Sequence, residues 1–306
     1  MAILRGLALA STLGMWLVLV MGAAVTNTGS SQGCGRSWPL CNGQFVPEFT
    51  LAAAIEYSHR AVTGIVGILI VALAAAVLAR WRQRTEAQVL VPLMLGSLLL
   101  QAGLGAAAVI APQSPPIMAS HFGISLICFG TTLLVAVFIF DEDRAPAGGG
   151  SIPSGFRRAV LASGVYVLLV VYLGAFVRHS GASLACFDWP LCNGQVVPAL
   201  DGATGIVFAH RLSALGLILL LGCLAAWARA IPACRATTLL ALLLAIVQAS
   251  SGGLIVTTRL GLFSTLAHAG IMALLFGVLA LLTRQVVVGG AIEPIREPAA
   301  ASLARA

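Results

Sequence analysis

Four histidines are the residues of this sequence whose type and spacing could do chemistry. Each opens a long apolar run, and they occur as two pairs, His59 with His121 and His210 with His268. Ionisable residues inside apolar membrane segments are costly and usually functional. A neutral imidazole on each of two facing helices is a natural pair of axial ligands for heme iron. We therefore predict at most one heme in each half of the chain.

Other interpretations of the histidines compete with heme ligation. A single histidine within a span more often forms a hydrogen bond to a neighbouring helix. Zinc or copper would need further cysteine or carboxylate ligands nearby, and the sequence around His210 has no carboxylate to offer. Four histidines duplicated in register favour the heme interpretation.

Glu56 distinguishes the two halves. The first half contains "EYSH", which places Glu56 three residues before His59 on one helix face, whereas the second contains "VFAH", with Val207 in place of the glutamate. We predict that the chemistry takes place in the first half, with Glu56 handling a proton or positioning a water. The alternative is a solvated glutamate just above the bilayer.

The histidines belong to a tandem repeat that covers most of the chain. The segment "GAAVTNTG" at 22–29 matches "GAFVRHSG" at 174–181, and "WPLCNGQ" occurs at both 38–44 and 189–195. Gln101 matches Gln248 and His121 matches His268, and the two members of each match are 147 positions apart. A repeat of this length predicts two copies of one structural unit.

Composition indicates that the bilayer is the solvent of this chain. Of 306 residues, 59% are hydrophobic and 9% are charged, and the mean hydropathy is +1.02. Apolar runs of about 20 residues can cross a hydrocarbon core of ~30 Å, and in lipid they must be helices. The eight predicted spans are Leu7–Val25, Ala54–Ala79, Val89–Ile110, Ser120–Phe140, Arg158–Phe176, Gly205–Ala228, Ala236–Val256 and Ser264–Val287.

The predicted fold is an all-α integral membrane protein with eight transmembrane helices in two pseudo-symmetric four-helix bundles. Four helices per repeat give both halves the same orientation, so the repeat is parallel rather than inverted. A stretch rich in Gly, Pro and charge reads as the linker between them. The predicted divisions are an N-terminal bundle at 1–142, a cytoplasmic linker at 143–156, a C-terminal bundle at 157–288 and a cytoplasmic tail at 289–306.

Arginines set the predicted orientation. All 17 basic residues are arginine, and they interrupt apolar runs instead of forming the patch that a nucleic-acid partner would need. Excess arginine marks the cytoplasmic side, which places both termini in the cytoplasm of a multi-pass inner-membrane protein. The twelve on that side are Arg5, Arg80, Arg82, Arg84, Arg144, Arg157, Arg158, Arg229, Arg235, Arg284, Arg296 and Arg305, and the five on the other are Arg36, Arg60, Arg178, Arg211 and Arg259.

Four cysteines lie in the predicted outer loops, Cys34 and Cys41 in one and Cys186 and Cys192 in the other. In an oxidising compartment each pair can close a short disulfide loop. A structural disulfide is the favoured interpretation for the second pair, whereas a redox role stays open for the first. The unduplicated cysteines are interpreted as packing residues, namely Cys128, Cys223 and Cys234.

Two arginines and a fifth histidine have open assignments. Arg60 and Arg211 directly follow the repeated histidines. Each could bind a heme propionate in a bidentate manner or extend to lipid phosphate. His179 stands where the first half has Asn27, and it is interpreted as a residue of the membrane surface, with a propionate contact as the alternative.

With these motifs in place, the chain resembles the heme A synthase family of bacterial and mitochondrial respiratory membranes over essentially all eight helices. The motifs that carry the resemblance are "TNTGSSQGCGRSWPLCNGQFVPE", "EYSHR", the His121 helix, "VRHSGASLACFDWPLCNG", "FAHR" and the His268 helix. The resemblance implies oxidation of the C8 methyl group of heme O to a formyl group. The product, heme A, would serve cytochrome oxidase assembly.

The resemblance also implies roles for single residues. His59 and His121 would bracket the substrate heme O, with Glu56 as the acidic residue required nearby. His210 and His268 would ligate a heme B cofactor that transfers electrons. These roles would make the first bundle the catalytic one and the second the cofactor-binding one.

The cysteines would place the chain in the cysteine-bearing bacterial group of that family. Cys34–Cys41 would be its redox-relevant pair and Cys186–Cys192 its second disulfide, neither strictly required by the chemistry. The implied partners are heme O, membrane lipid, heme O synthase, an electron donor or acceptor, and a further copy of the chain in a homo-oligomer.

Three other functions compete with heme A synthesis. A bis-histidine membrane cytochrome b that only transfers electrons explains the four histidines, but not a glutamate present in one half alone. A thiol–disulfide relay leaves the histidines without a role. A transporter would need a charged substrate path, and no predicted span carries an obvious one.

Overall fold

The computed structural model describes residues 1–111, 114–142 and 152–289. Over these residues the chain forms eight long α-helices and no β-strand, and every one of the eight is long and apolar enough to span a membrane. The predicted all-helical fold with eight spans is therefore confirmed. The helices are α1 Ala2–Asn27, α2 Leu51–Trp81, α3 Thr85–Ile110, α4 Pro115–Asp141, α5 Ser154–His179, α6 Gly202–Trp227, α7 Pro232–Thr257 and α8 Leu262–Val288.

The helices extend beyond the predicted apolar runs because their ends are determined by capping as well as by hydropathy. Helix α2 begins three residues before the predicted Ala54, where the Thr50 hydroxyl accepts a hydrogen bond from the Ala53 N–H at 3.1 Å. Helices α4 and α7 begin with Pro115 and Pro232. Proline suits the first turn because its missing N–H would have no partner there.

Four helices form the centre of the molecule and four lie outside them. Helix α1 contacts α4 and α8, and α4 also contacts α5 and α8, while α5 contacts α8. In the first half, α2 packs on α1, and α3 packs on α4 and α2. In the second half, α6 packs on α5, and α7 packs on α8 and α6. Both halves therefore have the same order of helix neighbours.

Aromatic pairs close the same end of each half. Trp81 of α2 meets Phe138 of α4 edge to face, with ring centroids 5.3 Å apart. Phe156 of α5 meets Trp227 of α6 in the same manner at 5.7 Å. An edge-to-face contact is attractive because the positive edge of one ring lies against the negative face of the other. They fix the helix spacing at the end that carries most of the arginines.

An ion-pair cluster joins three helices at that end. Arg284 of α8 donates to Glu86 of α3 at 2.9 Å and to Asp141 of α4 at 2.8 Å. Most of the predicted linker and tail, including Arg144, Arg296 and Arg305, lies outside the described residues.

The unduplicated cysteines divide into two kinds. Cys128 of α4 and Cys234 of α7 are buried, as expected for packing residues. Cys223 is exposed, so the packing prediction was wrong for this residue. The reason is its place on α6, a peripheral helix that packs on α5 and α7 but not on the four central helices as a group, so part of its surface is uncovered by the described residues.

We predict that Phe156→Ala destabilises the protein, because Phe156 is fully buried and holds Trp227. Lipid chains are as apolar as the interior, so the loss comes from packing rather than from hydrophobic transfer. A cavity of roughly 100 Å³ at about 24 cal/mol per Å³ gives about 2 kcal/mol. Thermal unfolding in detergent measures the effect. Val165→Ala, at a position 71% exposed on the same helix, is the matched control; equal melting temperatures for the two variants would contradict the prediction.

Candidate functional site

The four repeated histidines line one cavity of about 1510 Å³ that is shared by both halves. Pockets for drug-sized ligands usually enclose ~300–1,000 Å³, so this cavity suits larger ligands. Its walls are mostly apolar, and its polar lining includes Glu56, Arg60 and Arg211. The structure thus brings the predicted site residues of both repeats to a single internal space.

The two histidines of each half line the same cavity, His59 with His121 and His210 with His268. Each pair comes from two different helices, α2 with α4 and α6 with α8. In this arrangement each pair would be able to hold one heme.

Each imidazole packs against a glycine of a neighbouring helix. A β-carbon added at Gly174 would lie 2.7 Å from His210 Cε1, a separation that real atoms do not tolerate. The sequence analysis did not predict a role for these glycines. Their duplication in the repeat could have indicated one. The four pairs are Gly22 with His59, Gly105 with His121, Gly174 with His210 and Gly252 with His268.

Three of the four cavity imidazoles keep one nitrogen without a hydrogen-bond partner from the residues that the structure describes. Among the described residues, Nδ1 of His59, His121 and His210 is buried without a hydrogen-bond partner. Such atoms are rare in native structures, because burying them unpaired costs free energy. The described residues contain no group of three or more His, Cys, Asp or Glu that could hold another metal ion. An apolar cavity with two imidazoles in each half fits a heme in each half.

Glu56 is buried, with only 3% of its surface exposed, and each carboxylate oxygen accepts one hydrogen bond. Its Oε2 accepts from the backbone N–H of Cys34 at 2.8 Å. Its Oε1 accepts from Arg60 Nη2 at 2.5 Å, an ion pair within one turn of α2. The alternative of a solvated glutamate above the bilayer is therefore wrong. In the second half Val207 is also buried, but it packs on the cysteines without a polar contact.

Arg60 and Arg211 bind the loops above them. Arg60 Nη1 donates to the carbonyls of Ser37 and Leu40 at 2.8 and 2.7 Å. Arg211 donates to Leu191 and Cys186, at 2.5 and 3.3 Å. The sequence analysis considered a heme propionate or a lipid phosphate as the partner of each arginine, and it did not predict these contacts with loop carbonyls. Both arginines also line the cavity, and their contact with a propionate stays a prediction.

The segments 28–50 and 180–201, here the first and second cysteine loops, share one backbone design. Both predicted disulfides, Cys34–Cys41 and Cys186–Cys192, are formed. After each disulfide an asparagine and a glycine with positive φ reverse the chain, and the Gln44 and Gln195 carbonyls accept from the second cysteine of their loop. Loop residues Trp38 and Trp189 line the cavity, so the loops cover it.

Asp188 holds the turn of the second cysteine loop. It accepts from Gly194 N–H at 2.7 Å and from Asn193 N–H at 2.6 Å. These bonds, that of Gly194 first, hold the pKa of the Asp188 carboxyl below its ordinary value of 3.8. In the first cysteine loop Ser37 takes this place, and its hydroxyl accepts from Gly43 N–H at 3.1 Å.

Arg178 joins the two halves, a role that the sequence did not suggest. From the end of α5 its Nε donates to Asn27 Oδ1 at 2.9 Å, and its Nη2 donates to the Thr26 carbonyl at 3.0 Å, both on α1. The next residue, His179, is partly buried, lines the cavity and lies within electrostatic range of His121. The second half thus contributes side chains to the site of the first.

A family model described as cytochrome oxidase assembly protein, COX15-CtaA, matches residues 5–280 of the chain. The chain belongs to the COX15-CtaA family. The repeated histidines, both cysteine loops and Glu56 all lie within the part that the COX15-CtaA model covers.

Curated relatives of this COX15-CtaA chain are named heme A synthase. The protein of Symbiobacterium thermophilum is 42% identical over 293 residues, covering 92% of this chain and 95% of the relative. That of Geobacillus kaustophilus is 41% identical over 317 residues and covers 98% of each. That of Bacillus licheniformis is 40% identical over 291 residues, covering 90% and 93%.

Arg60→Gln should loosen the first cysteine loop, because the guanidinium holds two loop carbonyls and Glu56. A hydrogen bond to a charged group contributes about 1.5–3 kcal/mol. Amide hydrogen exchange over residues 34–44 should therefore become at least about tenfold faster. Arg36→Gln, which changes an exposed arginine of the same loop, is the control and should leave exchange unchanged. Equal exchange in the two variants would refute the role given to Arg60.

Acid should open the second cysteine loop before the first. A carboxyl with a lowered pKa stabilises the folded loop above its ordinary pKa of 3.8, and this contribution disappears as the pH falls through the lower folded value. The rate at which a phosphine reduces Cys186–Cys192 should therefore rise below pH 3.8 more than the rate for Cys34–Cys41. Asp188→Asn should remove this difference in pH dependence, and its persistence in that variant would count against Asp188 as the cause.

Proposed function

We propose that this chain is a heme A synthase, which oxidises the C8 methyl group of heme O to a formyl group. The observation that carries the proposal is the pair of imidazoles in each half, every ring seated against a glycine in one apolar cavity. The relatives that cover nearly the whole chain bear the name heme A synthase. The product would supply cytochrome oxidase assembly, in agreement with the description of the family.

The two halves would hold different hemes. His59 and His121 would bind the substrate heme O, and His210 and His268 would hold heme B as the resident cofactor. Glu56 supports this assignment, because within the described ranges only the first pair has a buried carboxylate beside it. When bound, heme B supplies a redox centre that exchanges one electron at a time.

Glu56 is the residue proposed to act in catalysis. Conversion of a methyl to a formyl group removes four electrons and adds one oxygen atom, so protons must leave the reacting carbon. Although Glu56 binds Arg60 and the Cys34 N–H, each carboxylate oxygen keeps a free lone pair. At the cavity wall these can orient a water or receive a proton. The loop above Glu56 limits access of bulk water to this point.

The cavity also suits the long farnesyl tail of heme O. Several cavity-lining residues are exposed on the outside of the helices, among them Ile68 of α2 and Leu99 of α3, which are 71% and 73% exposed. The cavity therefore has a side opening toward the lipid-facing surface between these helices. An apolar tail can extend through this opening into membrane lipid at little cost.

The orientation and the division of labour are part of the proposal. Both termini would lie in the cytoplasm of a bacterial plasma membrane, with the cysteine loops and histidine ends outside, as the arginine distribution favours. Residues 1–142 would form the catalytic bundle and 157–288 the heme B bundle, in agreement with the helix contacts within each half. The linker 143–156 and the tail 289–306 would be cytoplasmic.

The reaction also requires partners. Four electrons must leave the substrate, so an oxidant and an electron donor or acceptor are needed, and heme O synthase is the proposed source of the substrate. A further copy of the chain in a homo-oligomer stays a prediction.

Expression with a source of heme O, followed by heme extraction and chromatography, tests the function. We expect heme A or its hydroxylated precursor from the wild type. Glu56→Gln should lower this conversion at least ~100-fold, the range for loss of an acid–base group, and leave the heme B spectrum intact. Glu48→Gln, which changes an exposed acidic residue of the first cysteine loop, is the control.

Loss of the heme B spectrum in His210→Ala and His268→Ala is expected from the assignment of the cofactor. If the spectrum survived both changes, heme B would not belong to the second half. Heme B alone with normal redox cycling, and no product in any preparation, would instead identify an electron-transferring cytochrome b.

A further inference from the structure

His268 differs from the other three cavity histidines in its hydrogen bonds. Its Nδ1 lies 2.8 Å from Ser251 Oγ and its Nε2 lies 3.0 Å from Gln248 Nε2, both on α7. For the other three, Nδ1 has no partner within the described part of the chain. One imidazole of the second half is therefore fixed at both nitrogens.

The serine is placed to set which nitrogen of His268 carries the proton. Ser251 Oγ lies 2.8 Å from the Gln248 carbonyl and 2.8 Å from Nδ1 of His268. When its hydroxyl donates to the carbonyl, it accepts from the imidazole, and the hydrogen is then on Nδ1 of His268. Nε2 is left with its lone pair, which receives the N–H of the Gln248 amide. This lone pair is what a metal ion requires of a neutral imidazole.

The first half lacks this arrangement. The repeat aligns "QAGLG" at 101–105 with "QASSG" at 248–252, which places Leu104 where the second half has Ser251. Leucine has no hydroxyl to accept from an imidazole, and Nδ1 of His121 is unpaired. The amide of Gln101 contacts the sulfur of Met15 at 3.8 Å instead of the histidine.

We propose that Ser251 is a positioning residue that fixes the tautomer and ring orientation of His268, and so makes the second half the site of permanent heme binding. Leu104 leaves His121 without such a partner, which suits a heme that must enter as substrate and leave as product. The inference rests on the proposed function, because it assigns residence to one heme and exchange to the other. A heme held by His268 through Nε2 would require the Gln248 amide to turn away, whereas the bond from Nδ1 to Ser251 could persist.

The test is the rate at which purified protein loses heme B to excess apomyoglobin. Ser251→Ala and Ser251→Leu, the latter copying the first half, should lose heme B about 10–100-fold faster, the usual effect of removing such a partner of a metal-binding histidine. Ser251→Thr keeps the hydroxyl and should restore the wild-type rate. Ser250→Ala is the matched control, because Ser250 is exposed and bonds only to the Ile246 carbonyl of its own helix.

The midpoint potential of heme B is a second readout, which a purely structural role would not change. The Nδ1–H bond increases electron donation by His268 to iron, so its loss should raise the potential in Ser251→Ala and not in Ser250→Ala or Ser251→Thr. Unchanged heme loss and unchanged potential in Ser251→Ala would overturn the inference. A heme B spectrum insensitive to His268→Ala would overturn the proposed function first, which keeps the two failures distinct.

Discussion

The contact between an imidazole ring and the bare backbone of a neighbouring helix is the constraint on which the site depends. Lipid offers no hydrophobic drive for helix association, so helices in a membrane associate where small residues allow close packing. Small residues let a ring lie between two helices, and Gly22, Gly105, Gly174 and Gly252 each face one of the four imidazoles. The requirement is strict at Gly174, where a β-carbon would lie 2.7 Å from the His210 ring, whereas at the other three it would lie 3.3–3.5 Å away. These glycines thereby allow each histidine to face the shared cavity.

The cysteine loops show how one scaffold supports two different chemistries. In both halves an arginine one residue after the histidine reaches up and holds loop carbonyls, so the cover is kept in place in the same way. The halves differ in the anion near that arginine. In the first half it is the buried Glu56, which faces the cavity. In the second it is Asp188, which is part of the loop turn and is only partly buried. The carboxylate is thus inside one half and outside the other.

Much of the fold could be predicted from the sequence, because hydropathy and the repeat are strong signals. The eight spans, both disulfides and the histidine pairs follow from them. The partners of Arg60 and Arg211 could not be predicted in this way. A long flexible side chain can reach a propionate, a phosphate or a carbonyl, and only the three-dimensional structure distinguishes these. Ser251 was missed for a different reason. A serine in a helix usually bonds its own backbone, and nothing in sequence shows which one also touches an imidazole.

The exposure of Cys223 also could not be predicted from the sequence, because hydropathy does not reveal which face of an apolar helix meets another helix and which meets lipid. His179 was assigned to the membrane surface from its place at a helix end. It also lines the cavity, because α5 ends beside the first half, so its place at the membrane surface and a propionate contact both stay predictions.

Arg178 has an evolutionary consequence. Two identical copies of one unit, paired about an axis, would present the same residue at both equivalent positions. Here the contact needs an arginine on one side and an asparagine with a free carbonyl oxygen on the other, and Thr26 and Asn27 are the repeat counterparts of Arg178 and His179 themselves. The halves can no longer replace each other. A gene split between them would yield two proteins that must find one another, and neither could restore the joint by pairing with itself.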